Sequence, residues 1–169
     1  MTHRQRPVSS ILSLAALFVS VITFLGCERD MSIKADEKNP PSFLLSGSGN
    51  LMSFAVMEVP PENQTQTIQR SSDSNILLWE IEPTNADNKI RRLPVITYGK
   101  VPPGFAQKFP ADGSRPPPLV EGKIYEAGGP AYGANGGLIW FQVRGDKTVH
   151  IPIPGSTPES VRGKTSEPK

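Results

Sequence analysis

The chain has 169 residues, enough for one ordinary domain. Hydrophobic residues make up 37% and charged residues 20%, and 18 Pro with 15 Gly account for about a fifth of the chain, which excludes collagen, coiled coils and long uninterrupted helices. The 18 basic and 16 acidic residues leave a formal net charge of +2, and a single Cys excludes an intrachain disulfide framework and a thiolate metal cluster.

The first predicted element is a targeting segment. Arg4 and Arg6 open it, Val8–Leu25 (VSSILSLAALFVSVITFL) carries no charge, and Gly26-Cys27 leads into the charged Glu28-Arg29-Asp30. A basic start, an apolar run and a small residue at its end make a secretory signal. Phe24-Leu25-Gly26-Cys27 resembles the lipobox of bacterial lipoproteins, in which the Cys after the small residue is acylated and becomes the first residue of the mature chain. The resemblance implies that residues 1–26 are a lipoprotein signal peptide and that Cys27 is the lipid attachment site, carrying palmitate-type acyl chains. It also implies the bacterial cell envelope. With Glu28 instead of Asp after the Cys, it implies the outer membrane facing the periplasm in a Gram-negative cell. The apolar run of 18 residues also approaches the roughly 20 of a membrane span, so an uncleaved N-terminal anchor and a plainly secreted chain are the alternatives. The position of the solitary Cys favours the lipoprotein. One acyl chain binds a bilayer only marginally, so a stable anchor takes more than one. Removing residues 1–26 takes away Arg4 and Arg6 and no acid, so the 18 basic residues become 16 against 16 acidic ones. A balanced mature chain argues against capture of nucleic acid. Lys89, Arg91 and Arg92 form the one local basic cluster, read as a solvated loop face beside Asp87.

Residues 27–41 are polar, end in Asn39-Pro40-Pro41, and are expected to be a flexible tether. Residues 155–169 lack large apolar residues apart from Val161 and are expected to be a disordered tail. The folded domain is expected over 42–154. Within it, seven short apolar runs lie between Gly, Pro, Asn, Asp and Ser: 42–46, 51–59, 76–81, 93–98, 119–127, 138–143 and 148–153. This is a strand pattern. Alternation sets Leu77, Trp79 and Ile81 on one face and Glu80 and Glu82 on the other. It sets Ile139, Phe141 and Val143 opposite Trp140 and Gln142, and Val149, Ile151 and Ile153 opposite His150. Pro152 and Pro154 mark the last run as an edge strand. Gly145-Asp146-Lys147 predicts a hairpin between the last two runs, and Ser46–Asn50 predicts one between the first two, or a bulged continuous strand. The fold expected is all-β, an antiparallel two-layer sandwich of immunoglobulin-like type with about seven strands, a small closed barrel being the alternative.

Two long loops are the first functional candidates. Val101–Pro118 (VPPGFAQKFPADGSRPPP) holds prolines at 102, 103, 110, 116, 117 and 118, and reads either as a preformed ledge for a partner, with Phe105 and Phe109 in contact, or as a rigid crossover between sheets. Gly128–Gly137 (GGPAYGANGG) lacks the Lys-Ser/Thr and following helix of a phosphate cradle and reads as a flexible hairpin tip, with Tyr132 a contact candidate. Trp140 is a further contact candidate if its face of the strand is open. The catalytic inventory is short. His150 is expected to face outward, and Glu80, Glu82 and Glu121 are the carboxylates that a glycoside-hydrolase mechanism would need in opposed pairs. Asn63-Gln64-Thr65 fits a glycosylation acceptor but has no force behind a bacterial lipid signal. Tyr98–Phe105 and Pro116–Tyr125 are similar to segments of small bacterial envelope proteins, a resemblance that implies no activity. The sequence therefore reads as a lipid-anchored, non-enzymatic binding or assembly module, joined to the membrane through Cys27 and facing an envelope protein or glycan, without cofactor or metal. A small envelope hydrolase is the alternative.

Overall fold

The computed structural model describes residues 30–64, 75–85, 88–93 and 95–154. The expected signal peptide, Cys27 and the expected tail 155–169 lie outside these. Eleven strands are described: β1 (Ser32–Ala35), β2 (Ser42–Ser46), β3 (Asn50–Leu51), β4 (Phe54–Glu58), β5 (Ile76–Pro83), β6 (Ile96–Thr97), β7 (Phe105–Phe109), β8 (Ile124–Gly129), β9 (Ala131–Tyr132), β10 (Gly137–Arg144) and β11 (Lys147–Ile151). Every strand pairing is antiparallel. The only helical turns among the described residues are 3₁₀, at Pro61–Asn63 and Ile90–Arg92. The all-β antiparallel class is as expected, with more strands than seven because short pieces of the loops also pair.

Two unequal layers face each other across one apolar core. The smaller sheet runs β1-β2-β6 and the larger β11-β10-β8-β4-β5-β7, while β3 and β9 pair at one end. On the smaller sheet, Ile33, Phe43, Leu45 and Ile96 point inward and are buried. Its outer side carries exposed Leu44 among cross-bonded hydroxyls, with Ser32 Oγ 2.8 Å from Ser46 Oγ and Ser42 Oγ 3.0 Å from Thr97 Oγ1. On the larger sheet, Phe54, Val56, Trp79, Ile81, Tyr125, Ala127, Ile139, Phe141 and Val143 form the opposing surface. Phe43 joins the layers, its ring 5.2 Å from Phe54 and 5.7 Å from Phe141, and Tyr125 stacks on Phe141 at 5.5 Å. Aromatic pairs at such separations add about 0.5–1.5 kcal/mol each beyond the area they bury.

Several expectations are corrected. Residues 31–35, expected within the tether, belong to the fold: Met31 and Ile33 are buried, and β1 pairs with β2 in full register. Ser46–Asn50 makes no hairpin, because β2 and β4 lie in different layers and the glycines carry the chain between them. Leu77 leaves the core face. A bulge opposite Val56/Met57 makes Leu78 the extra residue, so Leu77 pairs with Met57 on the outer side while Trp79 pairs with Val56 inside. At the other edge His150 pairs with Phe141 and Thr148 with Val143, so both lie on the inner side, and Val149 and Ile151 lie outside beside Gln142 and Trp140. His150 is nevertheless exposed, because β11 is the edge strand. The 145–147 turn does close the β10–β11 hairpin, as expected. One flank of the sandwich is stitched where Thr148 N–H donates to Glu37 O at 3.0 Å and Thr148 Oγ donates to Lys38 O at 2.7 Å. These bonds account for a buried hydroxyl that would otherwise be costly.

Candidate functional site

The Pro-rich segment is built around Gln107. It lies opposite Ile81 on β7, so its side chain enters the inner face. There its Oε1 accepts from Trp79 Nε1 at 3.3 Å, and its Nε2 donates to the carbonyls of Pro110 (2.9 Å) and Ser114 (2.8 Å). A second pin comes from Tyr98, whose ring meets Trp79 edge-on at 5.7 Å and whose hydroxyl donates to Pro117 O at 2.8 Å. Burial, with the nearby Tyr125 in second place, holds the Tyr98 hydroxyl well above its ordinary range, so it remains a donor. The segment is therefore held to one core Trp at both ends of its proline run. Its residues Phe105–Phe109 are not loop at all but strand β7. Phe105 pairs with Pro83 and packs against the core, and Phe109 pairs with Glu80 on the outer side and is exposed. Of the two contact candidates here, the structure leaves only Phe109 accessible.

Trp140 is also not an open anchor. It lies on the outer side of the larger sheet, yet it is buried, and its Nε1 donates to Glu126 Oε2 at 2.9 Å from the paired position on β8. Tyr125 makes the corresponding closure on the inner side. Its hydroxyl accepts from Val120 N–H at 2.7 Å and donates to Val120 O at 3.3 Å, five residues upstream, a link of the tyrosine-corner kind. Burial again raises this hydroxyl.

The carboxylates are not brought together. Glu80 and Glu82 share the outer face of β5, and Glu82 Oε2 is engaged by Lys108 Nζ at 3.1 Å. Glu121 lies elsewhere, its Oε1 accepting from Gly145 N–H in the β10–β11 turn at 3.1 Å. His150 faces a cleft of about 530 Å³ between β1 and β11, lined also by Lys34, Asp36, Glu37 and Lys147. Asp36 is committed to the backbone, accepting from Ser42 N–H at 2.8 Å and Lys38 N–H at 3.4 Å. His150 has no hydrogen-bonded carboxylate or hydroxyl among the described residues, so the cleft lacks a base–orienter pair. No group of three His, Cys, Asp or Glu converges on a metal-sized site among the described residues.

The most open feature is at the end of the sandwich where β3 pairs with β9. Asn50 lies opposite Tyr132 on one side and bridges to Lys89 on the other. Leu51 and Ala131, the next pair, turn inward to the core. Alternation therefore directs Tyr132, Asn50, Lys89 and Met52 outward together. Tyr132 is 75% exposed, Met52 55% and Leu138, at the same end of β10, 49%. The 3₁₀ turn that follows Lys89 carries Arg91 and Arg92, both exposed. The segment 128–137, read from sequence as a flexible tip, is close-packed at its base, while Gly133 at its tip has open space around it. A Cβ on Gly128 would collide with Gly137 O, one on Gly129 with Ser53 O, and one on Gly137 would lie 2.7 Å from Met31 O.

This chain is thus an all-β antiparallel protein with an open end where β3 pairs with β9 and a cleft beside β11, and with exposed apolar side chains elsewhere, Leu44, Ile76, Val95 and Phe109 among them. Comparison with protein-family models, with curated proteins and with solved structures finds no match for it. None of the described helical turns is long and apolar enough to cross a membrane.

Proposed function

We propose that this protein is a lipid-anchored, non-enzymatic binding or assembly module of the bacterial cell envelope, held to the membrane through acylated Cys27. The observation that carries the reading is the solitary Cys of the chain, directly after Gly26 at the end of an 18-residue uncharged run. The dispersal of Glu80, Glu82 and Glu121 gives the hydrolase alternative no support, since glycoside hydrolysis needs carboxylates facing each other across the scissile bond. The envelope partner, protein or glycan, would meet the surfaces that the fold leaves open.

Growth with a clickable fatty acid tests the anchor. The wild-type chain is expected to be labelled and to lose residues 1–26, and Cys27→Ser is expected to be unlabelled and released from membranes. Equal labelling of the two proteins overturns the reading.

A further inference from the structure

The N-terminal end of the described chain is tied to the exposed β3–β9 end. Met31 N–H donates to Asn135 O at 3.2 Å, and Asn135 Nδ2 donates to Asp30 Oδ1 at 2.8 Å. Asn135 is three residues beyond Tyr132 in sequence. On the far side of Asn50, Ile90 N–H donates to Gly49 O at 3.1 Å, which fixes Lys89 and the turn carrying Arg91 to the same end. The chain thus leaves the domain beside Tyr132, Met52 and Lys89. Cys27 precedes Asp30 by three residues, a span of at most about 11 Å fully extended. The polar headgroup layer is itself about 5–8 Å deep on each side of the hydrocarbon. An acylated Cys27 therefore keeps Asp30 within about 3–6 Å of the outer surface of the headgroup layer.

We propose that the β3–β9 end is the membrane-facing surface of the domain, with Tyr132, Met52 and Leu138 seated at headgroup depth and Lys89 and Arg91 meeting lipid phosphates. The inference rests on the lipid-anchor reading and extends it from a point of attachment to an oriented face. The residue types suit the depth. A Tyr has an apolar ring and a polar tip and is enriched at membrane–water interfaces. Met and Leu remove apolar surface from water there, and long basic side chains carry their charge toward phosphate while their stems stay over apolar atoms. Tyr132, Met52 and Leu138, 75%, 55% and 49% exposed, leave apolar surface in water at this end, which is unfavourable. Asp30, an acid at this end, is held by the Asn135 amide. The orientation also has a consequence for the partner, since it turns the β10–β11 hairpin and Val120, at the opposite end of an eight-residue strand about 26 Å long, outward from the membrane.

The test uses the full chain in cells. The photocrosslinking residue p-benzoylphenylalanine is introduced singly at Tyr132, at Met52 or at Val120, and each protein is also labelled with the clickable fatty acid on Cys27. Lipid adducts several-fold more abundant at Tyr132 and Met52 than at Val120, in labelled protein, are expected. Labelled protein without lipid adducts at Tyr132 and Met52, or with equal adducts at Val120, overturns the orientation and leaves the anchor standing. Protein adducts in place of lipid adducts at Tyr132 and Met52 also overturn it, by making this end a protein-docking surface. Absence of fatty-acid label on Cys27 overturns both readings together.

Discussion

The Pro-rich segment 101–118 and the Gly-rich segment 128–137 look like opposites in sequence, one stiff and one loose, and they exchange roles in the structure. Proline rigidity suggested either a preformed ledge for a partner or a rigid crossover between sheets, and the segment both leads from β6 in the smaller sheet to β7 in the larger and is bound into the core through Gln107 and Tyr98, with Phe105. Glycine suggested a mobile tip, but Gly128, Gly129 and Gly137 are small because backbones meet there, and the tight packing turns Tyr132 outward. The lesson is that backbone stiffness and accessibility are separate properties. What exposes a side chain is the register of the strand that carries it, and both segments contain a short strand, β7 and β9.

The sharpest break in this comparison would come from Gly129→Ala. A methyl group there has to displace the Ser53 carbonyl, between β3 and β4, so a loss of about 3 kcal/mol is expected in denaturant unfolding. A midpoint equal to wild type would restore the loose-tip picture. Gln107→Ala removes three hydrogen bonds at once and leaves the buried Trp79 N–H without an acceptor. A loss of about 1–3 kcal/mol is expected, together with faster amide exchange over 110–118. Unchanged exchange would mean the prolines hold the segment unaided.

Alkaline pH probes the second pin. Burial raises both Tyr98 and Tyr125 above the ordinary value of 10.0, so both stay protonated in the fold after the unfolded chain has begun to ionise. Their stabilisation is complete below about pH 10 and is lost as pH rises through the folded values. Unfolding midpoints should therefore fall above pH 10, less steeply in Tyr98→Phe, and a flat profile for the wild type would contradict the burial. The two phenylalanines of β7 give the smallest and most discriminating contrast. Phe105→Ala should cost about 1–2 kcal/mol, as expected for a half-buried ring. Phe109→Ala should change stability by no more than about 0.5 kcal/mol. Equal costs would mean the β7 register is wrong.

Much of the fold was legible because its signals are local. Alternation in Ile139–Val143, the β-branched and aromatic runs, and the Gly145 turn each reflect a period of two or a backbone preference that a short window contains. The core positions Trp79, Ile81, Ile139, Phe141 and Val143 follow from those signals and are buried. Leu77 does not, because a bulge at Leu78 shifts the phase and the pairing of β5 with β4 decides it. His150 escaped for a related reason. Its alternation was correct, but only the pairing with Phe141 shows which side of β11 is the inner one. Of the candidate site residues, Tyr132 and Phe109 are accessible, Phe105 and Trp140 are packed, and Cys27 lies outside the described residues.

The sequence by itself determined the all-β class and most of the inner strand faces. These depend on residue type and spacing alone. Only the tertiary structure decided that β1 begins at Ser32 within the expected tether, that Gln107 and Tyr98 tie a proline loop to Trp79, and that Met52, Lys89 and Tyr132 share one outward surface. Each of these joins residues far apart in the chain. Such contacts are set by which strand edges pair, through backbone hydrogen bonds that are the same for every residue type, and that choice leaves no local mark in a sequence.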